Sequence, residues 1–357
     1  MLRKSFLVAA AVLAAACSEI PEKDLLKFPV KQIADLPQAV ALTPEKVLPD
    51  SSEVSSIIGF AVLNDKLIAN ADFMADHCLD VYDLASGELL QGLCRKGRGP
   101  GEFLFASFPL CSIEDESLFV YDVLAGKAAE VSLAEADFGC VTHQVSIETP
   151  KVGTPPVLMS NHKTAGGDVI AYNSIQAEVE YLAIENPYYA LYDWNSGEEK
   201  RAYELFDASS VKGATSFALG DCLDDRGTTL CFAMNYMPVF GFLDLESGKV
   251  AGFRLKDAPA FSDKKRQAFF GGVSAHGENL FALYFGGKED VGMSVSETDR
   301  TTLYKFDWEG KLLGKYELDG IYMICQATPD KLYLLKACGE PGQYPTYDLY
   351  QLDMKDL

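Results

Sequence analysis

One unit recurs six times along this chain: a short apolar strand, a polar turn and a second short apolar strand. Apolar runs of four to eight residues between turn residues are typical of strands rather than helices. A unit that repeats at this interval predicts a repeat architecture in which each copy forms one antiparallel sheet. The six copies are Ile57–Phe60 with Lys66–Ala69, Cys111–Ile113 with Ser117–Val120, Val157–Met159 with Asp168–Ala171, Phe217–Leu219 with Thr229–Phe232, Gly272–Ser274 with Asn279–Ala282, and Tyr322–Ile324 with Lys331–Leu334.

A second signal follows four of these units, where an aspartate starts a short polar turn that contains glycine. Glycine tolerates the left-handed backbone that tight hairpin loops require, and aspartate accepts backbone N–H bonds within such turns. We therefore interpret these aspartates as turn residues rather than as a set of metal ligands. The pairs are Asp83 with Gly87, Asp193 with Gly197, Asp244 with Gly248, and Asp307 with Gly310.

Together the repeats predict an all-β fold, a six-bladed β-propeller of four-stranded antiparallel blades, over residues 38–357. The sixth unit ends near Leu352 after three strands, so a fourth strand has to come from elsewhere. We expect the start of the fold, near Gln38 to Thr43, to supply it and close the ring. Closure of this kind removes the exposed sheet edges that an open arrangement would leave.

The N-terminus predicts export. Arg3 and Lys4 precede an apolar run from Phe6 to Ala16 that is too short to span a bilayer, as in a secretory signal. The residues before Cys17 resemble a lipobox, so we expect residues 1–16 to be a lipoprotein signal peptide and Cys17 to carry the lipid. An ordinary signal peptide is the alternative. The absence of aspartate directly after Cys17 favours an outer membrane lipoprotein that faces the periplasm or the cell surface. Residues 17–37 are interpreted as a tether.

Charge narrows the class of partner. The chain has 31 basic and 52 acidic residues, a formal net charge of −21, and removal of the signal would make it more negative. Such a surface repels nucleic acid and anionic lipid head groups. We therefore expect no nucleic acid partner and membrane attachment through the lipid only.

The segment Gly97–Phe103, with the sequence GRGPGEF, resembles a signature of TolB-like six-bladed β-propeller lipoproteins. In that family the signature lies between the first and second blades, which is its place here. The resemblance implies the fold and an exported location, with binding or scaffolding as the expected role. Its backbone N–H groups could form an anion site beside Arg95, Lys96 and Arg98. The alternative is a rigid crossover in which Phe103 anchors the loop and Glu102 caps backbone donors.

Propeller topology places two sets of loops on one face, those within blades after the second strand and those between blades. We expect a ligand on this face, and aromatic and amide groups there suit a peptide or a glycan. A rim without a ligand is the alternative. The predicted ligand-binding residues are Asp72, Phe73, Arg95, Arg98, Asp122, Asn173, Tyr236 and Tyr284.

Signals of catalysis are weak, because the four histidines lack metal-ligand spacing and no nucleotide-binding or nucleophile motif is present. No catalytic residue, metal or cofactor is predicted. The leading interpretation is a non-catalytic binding or scaffold module for a peptide, glycan or partner protein. The alternative is a propeller hydrolase or lyase that acts on a sugar or peptide at the central channel.

Eight cysteines follow Cys17. Counting outward from the hairpin turns places Cys78 opposite Cys94 and Cys222 opposite Cys231. Each pair is a disulfide candidate in an exported chain, with buried free thiols as the alternative.

Overall fold

The computed structural model describes residues 24–357 except 35, 50, 51, 53, 55, 56, 109, 110, 115, 148–157, 174–186, 208–216, 263, 264, 266, 290, 292–294, 297 and 340–344. The structure is 57% strand, with almost no helix among the described residues, and its strands form six mainly antiparallel sheets in a ring. The predicted six-bladed β-propeller is confirmed. The described residues contain no helix that is long and apolar enough to cross a membrane. Cys17 and the signal segment 1–16 lie outside them.

Blades 1 to 3 each contain four strands, and within each blade the first strand in sequence is the innermost. Short strands of this kind form because branched and aromatic residues alternate between glycine-containing turns. Blade 1 contains β4 (Phe60–Leu63), β5 (Lys66–Asn70), β6 (His77–Asp83) and β7 (Leu89–Arg95); blade 2 contains β8 (Cys111–Glu114), β9 (Ser117–Asp122), β10 (Lys127–Ser132) and β11 (Val141–Ser146); blade 3 contains β12 (Leu158–Lys163), β13 (Val169–Asn173), β14 (Tyr188–Tyr192) and β15 (Glu199–Tyr203).

Blades 4 to 6 each receive an additional strand from the N-terminal segment. These strands are β1 (Val30–Ile33), β2 (Val40–Leu42) and β3 (Glu45–Lys46). The other strands of blade 4 are β16 (Leu219–Leu223), β17 (Thr229–Met234), β18 (Phe240–Asp244) and β19 (Val250–Leu255); those of blade 5 are β20 (Gln267–His276), β21 (Asn279–Glu289), β22 (Arg300–Phe306) and β23 (Leu312–Asp319); those of blade 6 are β24 (Ile321–Ala327), β25 (Lys331–Cys338) and β26 (Thr346–Asp353).

The ring is closed by an N-terminal strand, as predicted, but a later one than expected. β3 pairs antiparallel with β26 through Glu45 and Lys46 and completes blade 6. The segment near Gln38 to Thr43, which was expected to close the ring, contains β2 instead. This strand pairs in parallel with β23 and extends blade 5. The N-terminal segment thus pairs with the outermost strand of blade 5 before it reaches blade 6.

The described residues of the segment interpreted as a tether, 17–37, belong to the folded domain. β1 pairs in parallel with β19 and extends blade 4. Leu25 and Leu26 are buried, and the Lys27 N–H donates to the Leu205 carbonyl at 2.9 Å. Apolar side chains bury here because they fill the gap between blades 3 and 4. The described residues between 24 and 46 therefore form an N-terminal belt along three consecutive blades.

The aspartate turns have the predicted chemistry. Asp83 Oδ1 accepts from the Ser86 N–H at 2.8 Å, and the Asp244 carboxylate accepts from the Ser247 N–H at 2.6 Å. The four turn glycines have a φ between 71° and 82°, the left-handed region that favours glycine. These turns all lie at one end of the ring, so the opposite end carries the other loops.

Candidate functional site on the loop-rich face

The loop-rich face is the end of the propeller formed by two sets of loops, those between the second and third strands of each blade and those between successive blades. Around blades 1 and 2 these loops contact one another. The Phe108 N–H donates to Asn70 Oδ1 at 2.9 Å, and the Leu104 N–H donates to Asp122 Oδ2 at 2.6 Å. The crossover from blade 1 to blade 2 is thereby fixed to the ends of β5 and β9.

The GRGPGEF crossover is a rigid turn. The carboxylate of its own Glu102 binds a backbone N–H of the loop at which an external anion was expected. Glu102 Oε2 accepts from the Gly99 N–H at 2.8 Å. A Cβ on Gly97 would lie 2.5 Å from the Glu102 carboxyl carbon, so a larger residue there would displace this carboxylate from its bond with the Gly99 N–H. Phe103 is 1% exposed, and Lys127 Nζ lies 4.6 Å from its ring centre. Both elements of the rigid-crossover interpretation are confirmed: Phe103 anchors the loop and Glu102 caps a backbone donor.

Lys96 fixes the neighbouring loop of blade 1. Its Nζ donates to the Phe73 carbonyl at 2.8 Å and to the Ala75 carbonyl at 2.9 Å. Within the same loop, Asp72 Oδ1 accepts from the Met74 N–H at 2.7 Å. These bonds hold the loop in one conformation, and the Lys96 ammonium group is engaged by the carbonyl groups of the loop.

This fixed turn presents two large apolar side chains to solvent. Phe73 is 86% exposed and Met74 is 85% exposed. Apolar side chains exposed to this degree next to one another mark interaction sites when more of them cluster nearby. Three further exposed apolar residues lie on loops of the same face around blades 1 and 2. We call the whole set the apolar patch: Ile58, Phe73, Met74, Phe105 and Leu124.

Two arginines flank the apolar patch, and the carboxylates around them are engaged. Arg98 is exposed, and the Arg95 side chain is 78% exposed with its Nε 4.0 Å from Glu102. Glu102 itself bonds the Gly99 N–H. Asp122 is fully buried, and it accepts from backbone N–H groups of its own loop as well as from Leu104.

His77, at the base of the Phe73 loop, lies between two carboxylates. Its Nδ1 is 2.9 Å from Asp76 Oδ1 and its Nε2 is 2.6 Å from Asp80 Oδ1, while the Tyr82 hydroxyl donates to Asp80 Oδ2 at 3.0 Å. Burial alone would lower the pKa of the imidazole, but the hydrogen bonds to Asp76 and Asp80 raise this pKa overall. Protonated His77 donates from both ring nitrogens and so joins the loop to β6.

Three predicted ligand-binding residues are buried, and the expectation that they face solvent is corrected. Asp122 anchors backbone, as described above. Asn173 is 4% exposed, and its Nδ2 donates to the Tyr192 hydroxyl at 2.9 Å. Tyr284 is 8% exposed and packs between Phe270 and Tyr304 because β21 continues to Glu289, so the residue lies within a strand rather than at its end.

Of the five remaining predicted residues, one lies apart from the other four. Tyr236 is half-buried in the loop after β17 of blade 4. Asp72, Phe73, Arg95 and Arg98 lie together on blade 1 and the crossover that follows it. The structure thus brings together four of the eight predicted ligand-binding residues.

The polar groups of the inner strands join neighbouring blades. Between blades 3 and 4, His162 Nε2 is 3.0 Å from Asp221 Oδ1, and the Tyr189 hydroxyl donates to Asp221 Oδ2 at 2.7 Å. Between blades 6 and 1, Gln326 Nε2 donates to the Val62 carbonyl at 2.9 Å and its Oε1 accepts from the Val62 N–H. Burial, with Asp221 adding to the effect, raises the pKa of Tyr189 well above its usual range. These residues act as ties between blades.

The cysteine register is as counted from the turns. Cys222 is the direct cross-strand partner of Cys231, and the pairing of His77 with Arg95 and of Leu79 with Leu93 places Cys78 opposite Cys94. All four side chains are buried, and Cys78, Cys222 and Cys231 are free thiols. Within the described residues, no group of three or more His, Cys, Asp or Glu side chains could hold a metal ion.

Sequence reasoning missed most of the apolar patch. Ile58, Met74, Phe105 and Leu124 were not singled out, although Phe73 and Met74 form an apolar pair between acidic and small residues in a turn. An apolar pair of this kind, too short for a strand and preceded by Asp72, could have indicated apolar side chains exposed on a loop. His77 was missed because spacing along the chain does not predict its two carboxylate contacts.

No protein-family model and no curated protein sequence matches this chain. Solved structures do. A member of the DUF4221 family from Bacteroides vulgatus is 8% identical at a TM-score of 0.55, covering 88% of this chain and 97% of its own. A candidate exported protein from Bacteroides fragilis is 10% identical at a TM-score of 0.51, covering 91% and 99%. Virginiamycin B lyase from Staphylococcus aureus is 12% identical at a TM-score of 0.45, covering 82% and 80%.

The class that fold and comparisons define is the six-bladed β-propeller. At these identities the similarity establishes the fold alone.

Proposed function

We propose that this protein is an exported, non-catalytic binding module that captures a partner protein or peptide on the loop-rich face around blades 1 and 2. The supporting observation is the apolar patch. Phe73 and Met74 extend into solvent from a turn that Lys96 and Asp72 fix in place, so little conformational entropy would be lost on binding.

The proposal includes export of the protein and its attachment to the membrane by a lipid. The lipobox-like residues before Cys17 support lipid attachment, and the GRGPGEF crossover between blades 1 and 2 supports membership of the TolB-like lipoproteins. Incorporation of labelled palmitate into the wild type but not into Cys17→Ala tests the anchor. Labelling of both proteins, or of neither, would contradict it.

The binding face is tested by photo-crosslinking in native membranes. A benzophenone side chain is placed at Phe73, and in a separate variant at Leu313. Leu313 is the matched control because it is 44% exposed and is the second residue of β23, near the opposite end of the propeller. We expect a discrete adduct from position 73 and none from position 313. Equal adducts at both positions, or none at 73, would overturn the assignment of the face.

A further inference from the structure

The charge that surrounds the apolar patch identifies the chemistry of the partner. We infer that the partner is an acidic peptide segment, in which carboxylates beside an apolar side chain meet Arg95 and Arg98 while the apolar side chain packs on Phe73 and Met74. This inference rests on the proposed binding function and adds the class of ligand.

The first step is the balance of donors and acceptors around the patch. Arg95 and Arg98 both extend into solvent, and each guanidinium has five N–H donors. Among the described residues, Arg98 has no ion pair within 4.0 Å, and the nearest carboxylate oxygen to Arg95 Nε is at 4.0 Å. Arg95 and Arg98 can therefore donate hydrogen bonds to a ligand on this face.

The second step is that the nearby carboxylates are already engaged. Asp72 caps the Met74 N–H, Asp76 bonds His77, and Glu102 bonds the Gly99 N–H. Each bond commits one carboxylate oxygen to holding a loop in shape, so a cationic partner would compete with the loop for part of that carboxylate's charge. An anionic partner would not, and carboxylates form bidentate pairs with guanidinium groups.

The third step reconciles an acidic ligand with an acidic protein. The net charge of −21 is spread over the whole chain, whereas exposed charges interact over about 8 Å at physiological salt. A short segment at the patch would meet Arg95 and Arg98 and would be screened from most acidic residues. A broad anionic surface, such as a bilayer, would meet those acidic residues as well, which argues for a peptide segment.

The test is a selection from a random peptide library displayed on phage, with the full mature chain as bait. We expect enriched sequences to carry Asp or Glu next to an aromatic or aliphatic residue. The double substitution Arg95→Ala and Arg98→Ala should weaken binding of the enriched peptides by about tenfold or more per guanidinium, because a hydrogen bond to a charged group is lost at each.

The matched control replaces two lysines on the opposite face, Lys249→Ala and Lys311→Ala, which are exposed in hairpins of blades 4 and 5. This control should bind the enriched peptides as the wild type does. Reversal of the charges, Arg95→Glu with Arg98→Glu, should shift the selection to basic peptides. Because these side chains are exposed, thermal unfolding should be unchanged and serves as the check on folding.

Three results would overturn the inference: enrichment of neutral or basic sequences by the wild type, no enrichment, or equal binding by the Arg95 and Arg98 variant. Binding to phosphatidylglycerol vesicles, lost in the same variant, would point to a lipid surface and would also overturn it. The proposed function fails separately, through the crosslinking at Phe73. An adduct there together with neutral peptides would keep the face and reject the acidic ligand.

Discussion

The imidazole of His77 lies where any side chain on Gly92 would have to be. A Cβ built on Gly92 would lie 2.5 Å from His77 Nδ1 and from Cδ2, much closer than van der Waals contact. Gly92 belongs to β7 and is the cross-strand partner of Asp80. The glycine therefore leaves the space in which His77 reaches both carboxylates.

The first prediction is that Gly92→Ala destabilises the protein. The added methyl group forces His77 off the sheet, and overpacking of this kind costs about 1–3 kcal/mol. Urea unfolding followed by tryptophan fluorescence measures the change. Gly166→Ala is the matched control, because its Cβ would meet nothing closer than Thr164 Oγ1 at 3.8 Å. Equal effects of the two substitutions would show that the space over Gly92 is unimportant.

The second prediction concerns pH. The pKa of His77 is raised in the folded state by Asp76 and Asp80, against the lowering effect of burial. The protonated imidazole thus stabilises the fold fully below its unfolded pKa of about 6.5, and this contribution is lost as the pH rises through the higher folded pKa. The difference in unfolding free energy between wild type and His77→Gln should shrink in that direction.

Urea unfolding of both proteins from about pH 5 to about pH 9 measures this difference around the ordinary histidine pKa. His77→Gln should retain whatever pH dependence other groups confer, so the comparison isolates one imidazole. A difference that grows with rising pH would have the wrong sign and would mean that neutral His77 is the stabilising form.

The six blades follow from sequence because turn chemistry repeats. Asp83 and Asp244 start turns of the same chemistry, so their positions divide the chain at fixed points of each blade. The strand that closes the ring was misplaced because Val40–Leu42 and Glu45–Lys46 are both short edge strands, and neither carries an alternating pattern that specifies its neighbour.

The candidate site was less predictable, for a different reason. Tyr284 lies at the end of an apolar run, the position at which the second strand of most other blades ends. In blade 5 this strand, β21, continues to Glu289 and keeps Tyr284 within the packed sheet. His77 and Asp80 are three residues apart, a spacing that in a regular strand points side chains to opposite faces. Their contact depends on the space over Gly92, which becomes visible only once β6 and β7 are paired.

The third prediction is a cross-strand disulfide between Cys222 and Cys231. Directly opposed residues of an antiparallel pair have Cα atoms about 4.5–5.5 Å apart, which is within the range for a disulfide. Burial, and after it the hydrogen bond between the Cys231 and Cys222 thiols, raises the pKa of Cys231, so oxidation is expected during folding rather than afterwards. Refolding with oxidised glutathione would remove two protons and two electrons from the thiols and release two reduced glutathione molecules.

Peptide mass spectrometry without reduction should recover the peptides containing Cys222 and Cys231 as one linked species, two hydrogens lighter than the sum of the free peptides. A disulfide that closes such a short loop should add about 2–3 kcal/mol to the unfolding free energy. The control is Cys325→Ala, which removes a buried thiol of blade 6 and should leave the link intact. Recovery of both peptides as free thiols after oxidative refolding would reject the disulfide.

The fourth prediction tests whether the N-terminal belt stabilises the propeller. Leu25 is fully buried, and it belongs to the core cluster that contains Phe206 and Phe217. Leu25→Ala should therefore cost about 2–5 kcal/mol of unfolding free energy, as in other cores, because it removes buried methyl groups and leaves a cavity between blades 3 and 4. Val40→Ala is the control in the same belt, since Val40 is 53% exposed on β2 and should change the unfolding free energy much less. Urea unfolding distinguishes the two cases. If Leu25→Ala has no more effect than Val40→Ala, residues 24–33 are a tether that merely rests on the propeller, and the blades hold together without them.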